Sequence, residues 1–117
     1  MPVPKTSLTL EDMPMQYDHW LSFGSELEAN GKWDVAARVF RYISDIFGNT
    51  PAMVTREANC LYWFGDYLGA LGVLELLTRP TVSSLIIEAR CWNKLDKPQK
   101  ACIIYNKALT ILERKPV

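Results

Sequence analysis

The chain repeats itself. Gly31-Lys-Trp33-Asp-Val-Ala36-Ala-Arg-Val-Phe40 and Gly65-Asp-Tyr67-Leu-Gly-Ala70-Leu-Gly-Val-Leu74 follow one recipe. Each gives a glycine, a polar residue, an aromatic, an alanine three positions on and a large apolar residue four after that. Ala36 and Ala70 are 34 residues apart. A third copy, Asp96-Lys-Pro98-Gln-Lys-Ala101-Cys-Ile-Ile-Tyr105-Asn-Lys-Ala108, follows 31 residues later. Self-similarity at this spacing constrains the fold more than composition does. A unit this small cannot bury its own apolar face and must stack on a neighbour.

The apolar residues within each copy fall at helical spacing. Ala36, Val39, Phe40 and Ile43 recur at i, i+3, i+4 and i+7, and Ala101, Ile104, Tyr105, Ala108 and Leu112 form the same stripe. Asn30-Gly31, Gly48-Asn49-Thr50-Pro51, Phe64-Gly65-Asp66 and Arg79-Pro80 read as turns. Pro51 and Pro98 suit first helical turns, where a missing N–H matters little. No segment alternates with period two for long enough to need a strand. The pattern predicts six helices, over 16–29, 33–47, 51–64, 67–78, 82–94 and 98–114, after an irregular start.

A period near 34 is that of tetratricopeptide repeats, hairpins of two antiparallel helices. The first copy supplies Trp20, Phe23, Gly24, Leu27, Ala36 and Phe40 to that pattern. The second supplies Val54, Ala58, Leu61, Gly65, Tyr67, Ala70 and Leu74, and the third Leu85, Ala89, Trp92, Ala101, Tyr105 and Ala108. The small residues let paired helices approach, and the large ones fill the space between hairpins. The expected fold is all-α: three hairpins, 17–50, 51–81 and 82–115, stacked as a short curved solenoid. Residues 17–117 then form one domain behind an irregular N-terminal segment, 1–16.

Composition narrows the function. Thirteen Lys and Arg balance thirteen Asp and Glu, which removes the electrostatic footprint of a nucleic-acid binder and any overall pull toward an anionic membrane. No apolar run approaches the length of a membrane span, and the N-terminus lacks the pattern of a signal peptide. Three cysteines without CxxC spacing suit a reducing compartment.

Catalytic chemistry finds no foothold. His19 is the only histidine, so neither a multi-imidazole metal site nor a choice of general bases is available. Gly65, Gly69 and Gly72 fall on a turn and a helix rather than in a phosphate-binding loop. Cys60 and Cys91 both follow the pattern Ala-x-Cys in equivalent helices, which points to packing between helices rather than a singular reactive thiol; the same is expected of Cys102. The charged residues intersperse both signs as a solvated surface does. The expectation is a protein that is not an enzyme and takes no cofactor or metal.

The first helices of such a stack line one groove. By register the groove receives Leu21, Ser22, Ser25 and Glu28, then Thr55, Arg56, Asn59, Tyr62 and Trp63, then Ile86, Ile87, Arg90, Asn93 and Lys94. Three consecutive aromatics, Tyr62-Trp63-Phe64, sweep about 200° of a helix, so at least one is exposed or meets a partner. Tyr62 and Trp63 either anchor that partner or brace neighbouring hairpins. Leu21, Ser25 and Arg56 stand where the carboxylate-clamp type of tetratricopeptide adaptor carries Lys and two Asn, which argues against a binder of chaperone tails.

Gly31-Lys-Trp33-x-x-Ala36-x-x-Val39-Phe40, Ala58-x-Cys60, Gly65-x-Tyr67-x-x-Ala70, Ala89-x-Cys91 and the ending Ala108-Leu-Thr-Ile-Leu112-Glu-Arg-Lys115-Pro116 resemble the class II chaperones of bacterial type III secretion. The resemblance covers residues 17–116. It implies a protein of the bacterial cytoplasm that keeps a secreted subunit, needle or translocator, soluble in its groove before export. It also implies a second small co-chaperone or a homodimer as a further partner. The chain is shorter than a usual translocator chaperone, which shifts weight toward a needle subunit. A generic tetratricopeptide scaffold in another assembly is the competing expectation. Neither the client's identity nor its bound conformation is legible in the residues.

The repeats leave no room for a polar capping helix. The last helix is therefore expected to expose an apolar edge, with Ile103 and Ile111 as its residues, covered by self-association or by a second protein.

Overall fold

The computed structural model describes residues 13–114. Six helices follow one another: α1 (Met13–Ala29), α2 (Trp33–Phe47), α3 (Pro51–Phe64), α4 (Tyr67–Leu74), α5 (Val82–Lys94) and α6 (Pro98–Glu113). They pack as sequential pairs, α1 with α2, α3 with α4 and α5 with α6, and the pairs stack through α2 on α3 and α4 on α5. The all-α architecture of three stacked hairpins is therefore present. Residues 1–12 of the expected irregular start, and Lys115 and Pro116 of the ending, lie outside the described residues, whereas residues 13–16 of that start belong to α1 rather than to an irregular segment. No described helix is long and apolar enough to cross a membrane.

One turn is built three times. Leu27 O accepts from Lys32 N, Leu61 O from Asp66 N and Trp92 O from Lys97 N, each at 2.9 Å. A residue of positive φ sits inside each loop: Gly31 (72°), Gly65 (102°) and Asp96 (64°). This is the Schellman closure, in which a left-handed residue returns the chain to bond the last helical carbonyls. Asp replaces Gly in the third copy because short polar side chains tolerate that conformation. Ala36, Ala70 and Ala101 then each donate to the carbonyl just before their own helix, and all three are buried. The repeat in the sequence is thus a repeat of turns and of close helix contacts.

Close approach has a named reason in the first hairpin. A Cβ added at Gly24 would lie 2.7 Å from the ring of Phe40, so only glycine lets α1 press onto that buried ring. Helix starts are equally local. Thr50 caps α3 by accepting from Met53 N at 3.3 Å, with Pro51 following, and Asp66 caps α4 by accepting from Gly69 N at 2.9 Å. Thr81 and Ser84 form a reciprocal capping box at the start of α5.

The fourth helix is shorter than the sequence pattern predicts. It ends at Leu74 instead of running to residue 78. The bonds loosen to the i→i−3 type, from Leu76 N to Val73 O and from Leu77 N to Leu74 O. Gly69 and Gly72 weaken the helix from within, and Arg79-Pro80 bars its continuation. Leu76-Leu77 imitates a helical stripe without forming one.

Candidate functional site

Two depressions lie along the first helices of the second and third hairpins. Thr55, Arg56 and Asn59 of α3 face Ser83, Ile86, Ile87 and Arg90 of α5 across a cavity of about 350 Å³. The spacings i, i+1, i+4 and i, i+3, i+4, i+7 put each set on one helix face. A second depression of about 350 Å³ lies between α5 and α6, where Ile86 and Arg90 meet Tyr105, Ala108, Leu109 and Leu112. Ile86 and Arg90 line both, so one surface runs from α3 across α5 onto α6. Ile86 and Ile87 give it an aliphatic part, and Arg56 and Arg90 line it as well.

Six of the fourteen groove residues read from the sequence, Thr55, Arg56, Asn59, Ile86, Ile87 and Arg90, line this cavity. The remaining eight do not. Leu21 packs against the first core beside Phe40 and Ile43. The Ser25 hydroxyl donates to Leu21 O and accepts from Arg56 Nη2, each at 2.9 Å. Arg56 also pairs with Glu28 and lies over the Phe40 ring at 4.5 Å. Ser25 and Glu28 therefore latch α1 to α3 through Arg56, and Ser25 is spent on structure.

Tyr62 and Trp63 belong to a different feature. Trp63 stacks on Trp33 at 6.0 Å, meets Tyr62 edge-on at 5.2 Å, and Tyr62 meets Tyr67 at 5.6 Å. This aromatic row crosses the helix-turn edge of the first two hairpins. Trp63 is 54% exposed and Phe64 more so, as the 200° sweep requires. Bracing accounts for Tyr62, which packs on the second core. Asn93 is exposed on the last turns of α5, where its carbonyl accepts from Asp96 N at 3.1 Å.

Of the expected apolar edge, Ile103 and Ile111 are both exposed. The α5–α6 depression is lined instead by Tyr105, Leu109 and Leu112; Ile103 lies about 200° around the helix from Tyr105. Leu112 belongs to the stripe read from the sequence, and a step of four residues from Tyr105 would have added Leu109. Nothing local in the sequence marks Ser83.

The thiols separate into two kinds. Cys60 and Cys91 are fully buried in the first and second cores. Burial pushes Cys60 up to about 12, helped by nearby Glu28, and Cys91 up to about 11, helped by Glu88. Both are held as neutral thiols, unsuited to nucleophilic work. Cys102, expected to be packed, is exposed. Its counterparts in the earlier hairpins, Ala37 and Leu71, are buried and half-buried in the two junctions, and no further hairpin follows α6 among the described residues.

Among the described residues no group of three or more His, Cys, Asp and Glu is placed to hold a metal ion. The surface offers apolar contact, hydrogen bonding and positive charge, which suit a bound protein segment. No known family model matches the chain, and no curated protein matches it.

Proposed function

We propose that this chain is a non-catalytic tetratricopeptide-type chaperone that holds an apolar segment of a client protein between α3 and α5. The observation that carries the reading is the cavity in which Ile86 and Ile87 are flanked by Arg56, Asn59 and Arg90. Apolar walls give such a segment a place out of water. Arg56 is tied to Glu28, whereas Arg90 is exposed and has no ion-pair partner among the described residues. The client therefore carries an acidic side chain beside its apolar stripe.

Similarity to the class II chaperones makes the client a secreted type III subunit, needle or translocator, held in the bacterial cytoplasm. Sequestering apolar surface requires only mass action, without any reacting group. Co-expression with candidate secreted subunits tests the reading: one of them becomes soluble and co-purifies. Ile86→Asp should then abolish co-purification while helical content stays at the wild-type level. A client retained by that variant would rule out this cavity.

A further inference from the structure

Register connects the open end of the stack to its closed junctions. The turns at Gly31 and Asp96 relate the first and third hairpins residue by residue. On that relation Ile86, Arg90, Tyr105, Ala108, Leu109 and Leu112, which line the α5–α6 depression, correspond in order to Leu21, Ser25, Phe40, Ile43, Ser44 and Phe47. Those counterparts form the surface on which α3 rests. Phe40 and Ile43 share a core with Met53 and Cys60 of α3, and Ser25 is bonded by Arg56. Under α3, Ser44 is buried; its counterpart Leu109 is 51% exposed and Leu112 is 62% exposed. The α5–α6 depression is the place of a helix in the role of α3.

The opposite end of the molecule presents such a helix. At the position of Glu57, which is buried against Arg41 of the first junction, α1 carries Phe23, and at the position of buried Val54 it carries Trp20. Phe23 is 42% exposed, and Trp20 joins it to Tyr42 through ring contacts of 6.0 and 4.9 Å. Charge is complementary as well. Asp18, Glu26 and Glu28, the last paired with Arg56, are the acidic residues of α1, which has no Lys or Arg, whereas α5 and α6 carry Arg90, Lys94, Lys100 and Lys107 against Glu88 and Glu113. In the register of α3, Glu26 takes the place of Cys60, which faces Glu28. The counterpart of Glu28 in the third hairpin is Asn93, about one helical turn from Arg90.

We propose that copies of this chain stack head to tail, with α1 of one copy seated on α5 and α6 of the next. Trp20 and Phe23 of one copy then cover Tyr105, Leu109 and Leu112 of the other. The contact is heterologous, so it leaves one free face at each end and builds short open rods rather than a closed dimer. It goes beyond the chaperone reading and needs no client.

Sedimentation velocity on the full chain, from low-micromolar to near-millimolar concentration, tests it. The weight-average mass should climb past twice the 13.4 kDa of one chain without a plateau. Phe23→Glu and Leu109→Glu each place a charge in the contact and should weaken association by about tenfold or more. Leu112→Glu substitutes for Leu109→Glu if the latter loses helical content. In an equimolar mixture of F23E and L109E each chain keeps one intact face, so the mixture should give a heterodimer that grows no further. A wild-type chain that stays monomeric overturns the proposal. So does a dimer plateau that L109E abolishes and F23E leaves alone, or a mixture that stays monomeric.

Discussion

The two junctions inside this stack share one register and use opposite chemistry. At the first, the 15-residue α2 lies along α3, and Phe40 and Ile43 pack with Met53 and Cys60. Arg41 of α2 meets the buried Glu57 of α3, Nε to Oε1, at 3.3 Å. At the second, the eight-residue α4 carries two glycines, and Glu75 stands in the register place of Arg41. It lines a cavity of about 120 Å³ together with Glu88, the counterpart of Glu57. The first helices differ in the same way. Long Arg56 spans from α3 to Ser25 and Glu28 of α1, whereas its counterpart Ile87 packs in one core with Ala58, and α5 lies directly beside α3. The α3–α5 cavity is thus framed by the junction with apolar contacts and like charges. With the longer helix and the larger shared core, the polar junction is expected to be the firmer of the two.

Arg41→Glu gives the first junction the sign of the second and should have the largest effect. Glu57 is only 5% exposed, and breaking a buried pair by removing one partner destabilises by about 3–5 kcal/mol. The loss should fall near the lower end, because Glu57 can relieve itself by taking a proton. Urea unfolding at neutral pH measures it. A loss below about 1 kcal/mol would mean that Arg41 acts mainly on Asp45 and Asn49, which it also contacts.

The buried thiols report each junction separately. Alkylation followed by mass spectrometry should modify exposed Cys102 first, by roughly a hundredfold or more over the buried pair. In mild denaturant Cys91 should follow before Cys60, since Cys91 lies in the second core and Cys60 in the first. Simultaneous labelling of both would show one cooperative unit, and the reverse order would invert the ranking of the junctions.

Glu57 also carries a pH signature. Burial raises its pKa above the ordinary 4.5, opposed by the Arg41 guanidinium and helped by Asp45. The folded chain therefore holds this proton more tightly than the unfolded chain. Stability from Glu57 is greatest below pH 4.5 and is lost as pH rises toward the folded value. Glu57→Gln removes this contribution, so the wild-type-minus-variant stability should decline across that window and then level off. A flat difference between unfolding midpoints would show that burial does not govern the group.

Much of this architecture is written locally. The turns at Gly31, Gly65 and Asp96 and the alanines that follow them depend on chemistry within a few residues, so they read directly from the repeat. Pro51 with Thr50 is equally local. The end of α4 was not legible, because Leu76-Leu77 keeps a helical stripe while its backbone bonding has already changed. Groove membership was half legible. Helical register places Arg56, Asn59, Ile86 and Arg90 on the facing sides of α3 and α5. That Arg56 is engaged by Ser25 and Glu28 depends on how one hairpin seats on another, which no window of sequence contains. Ile103 and Ile111 are apolar and exposed, but which side of α6 lines the α5–α6 depression is set by the register between hairpins.

The smallest predicted effect tests the comparison from the other side. Glu75→Arg gives the second junction the Arg–Glu pair of the first and should stabilise the chain by about 0.5 kcal/mol at low salt, the scale of an exposed pair. Two contributions are mixed in that gain. One is relief of repulsion with half-buried Glu88, and the other is a cation placed at the end of α4, where the helix dipole favours it. Glu75→Gln supplies the first without the second and should give a smaller gain. Against Glu88→Gln, the pairing part of the Glu75→Arg gain should vanish, and added salt should shrink it in the wild-type background. A gain that survives Glu88→Gln undiminished would place the benefit at the end of α4. The second junction would then owe its weakness to a short, glycine-bearing helix rather than to its charges.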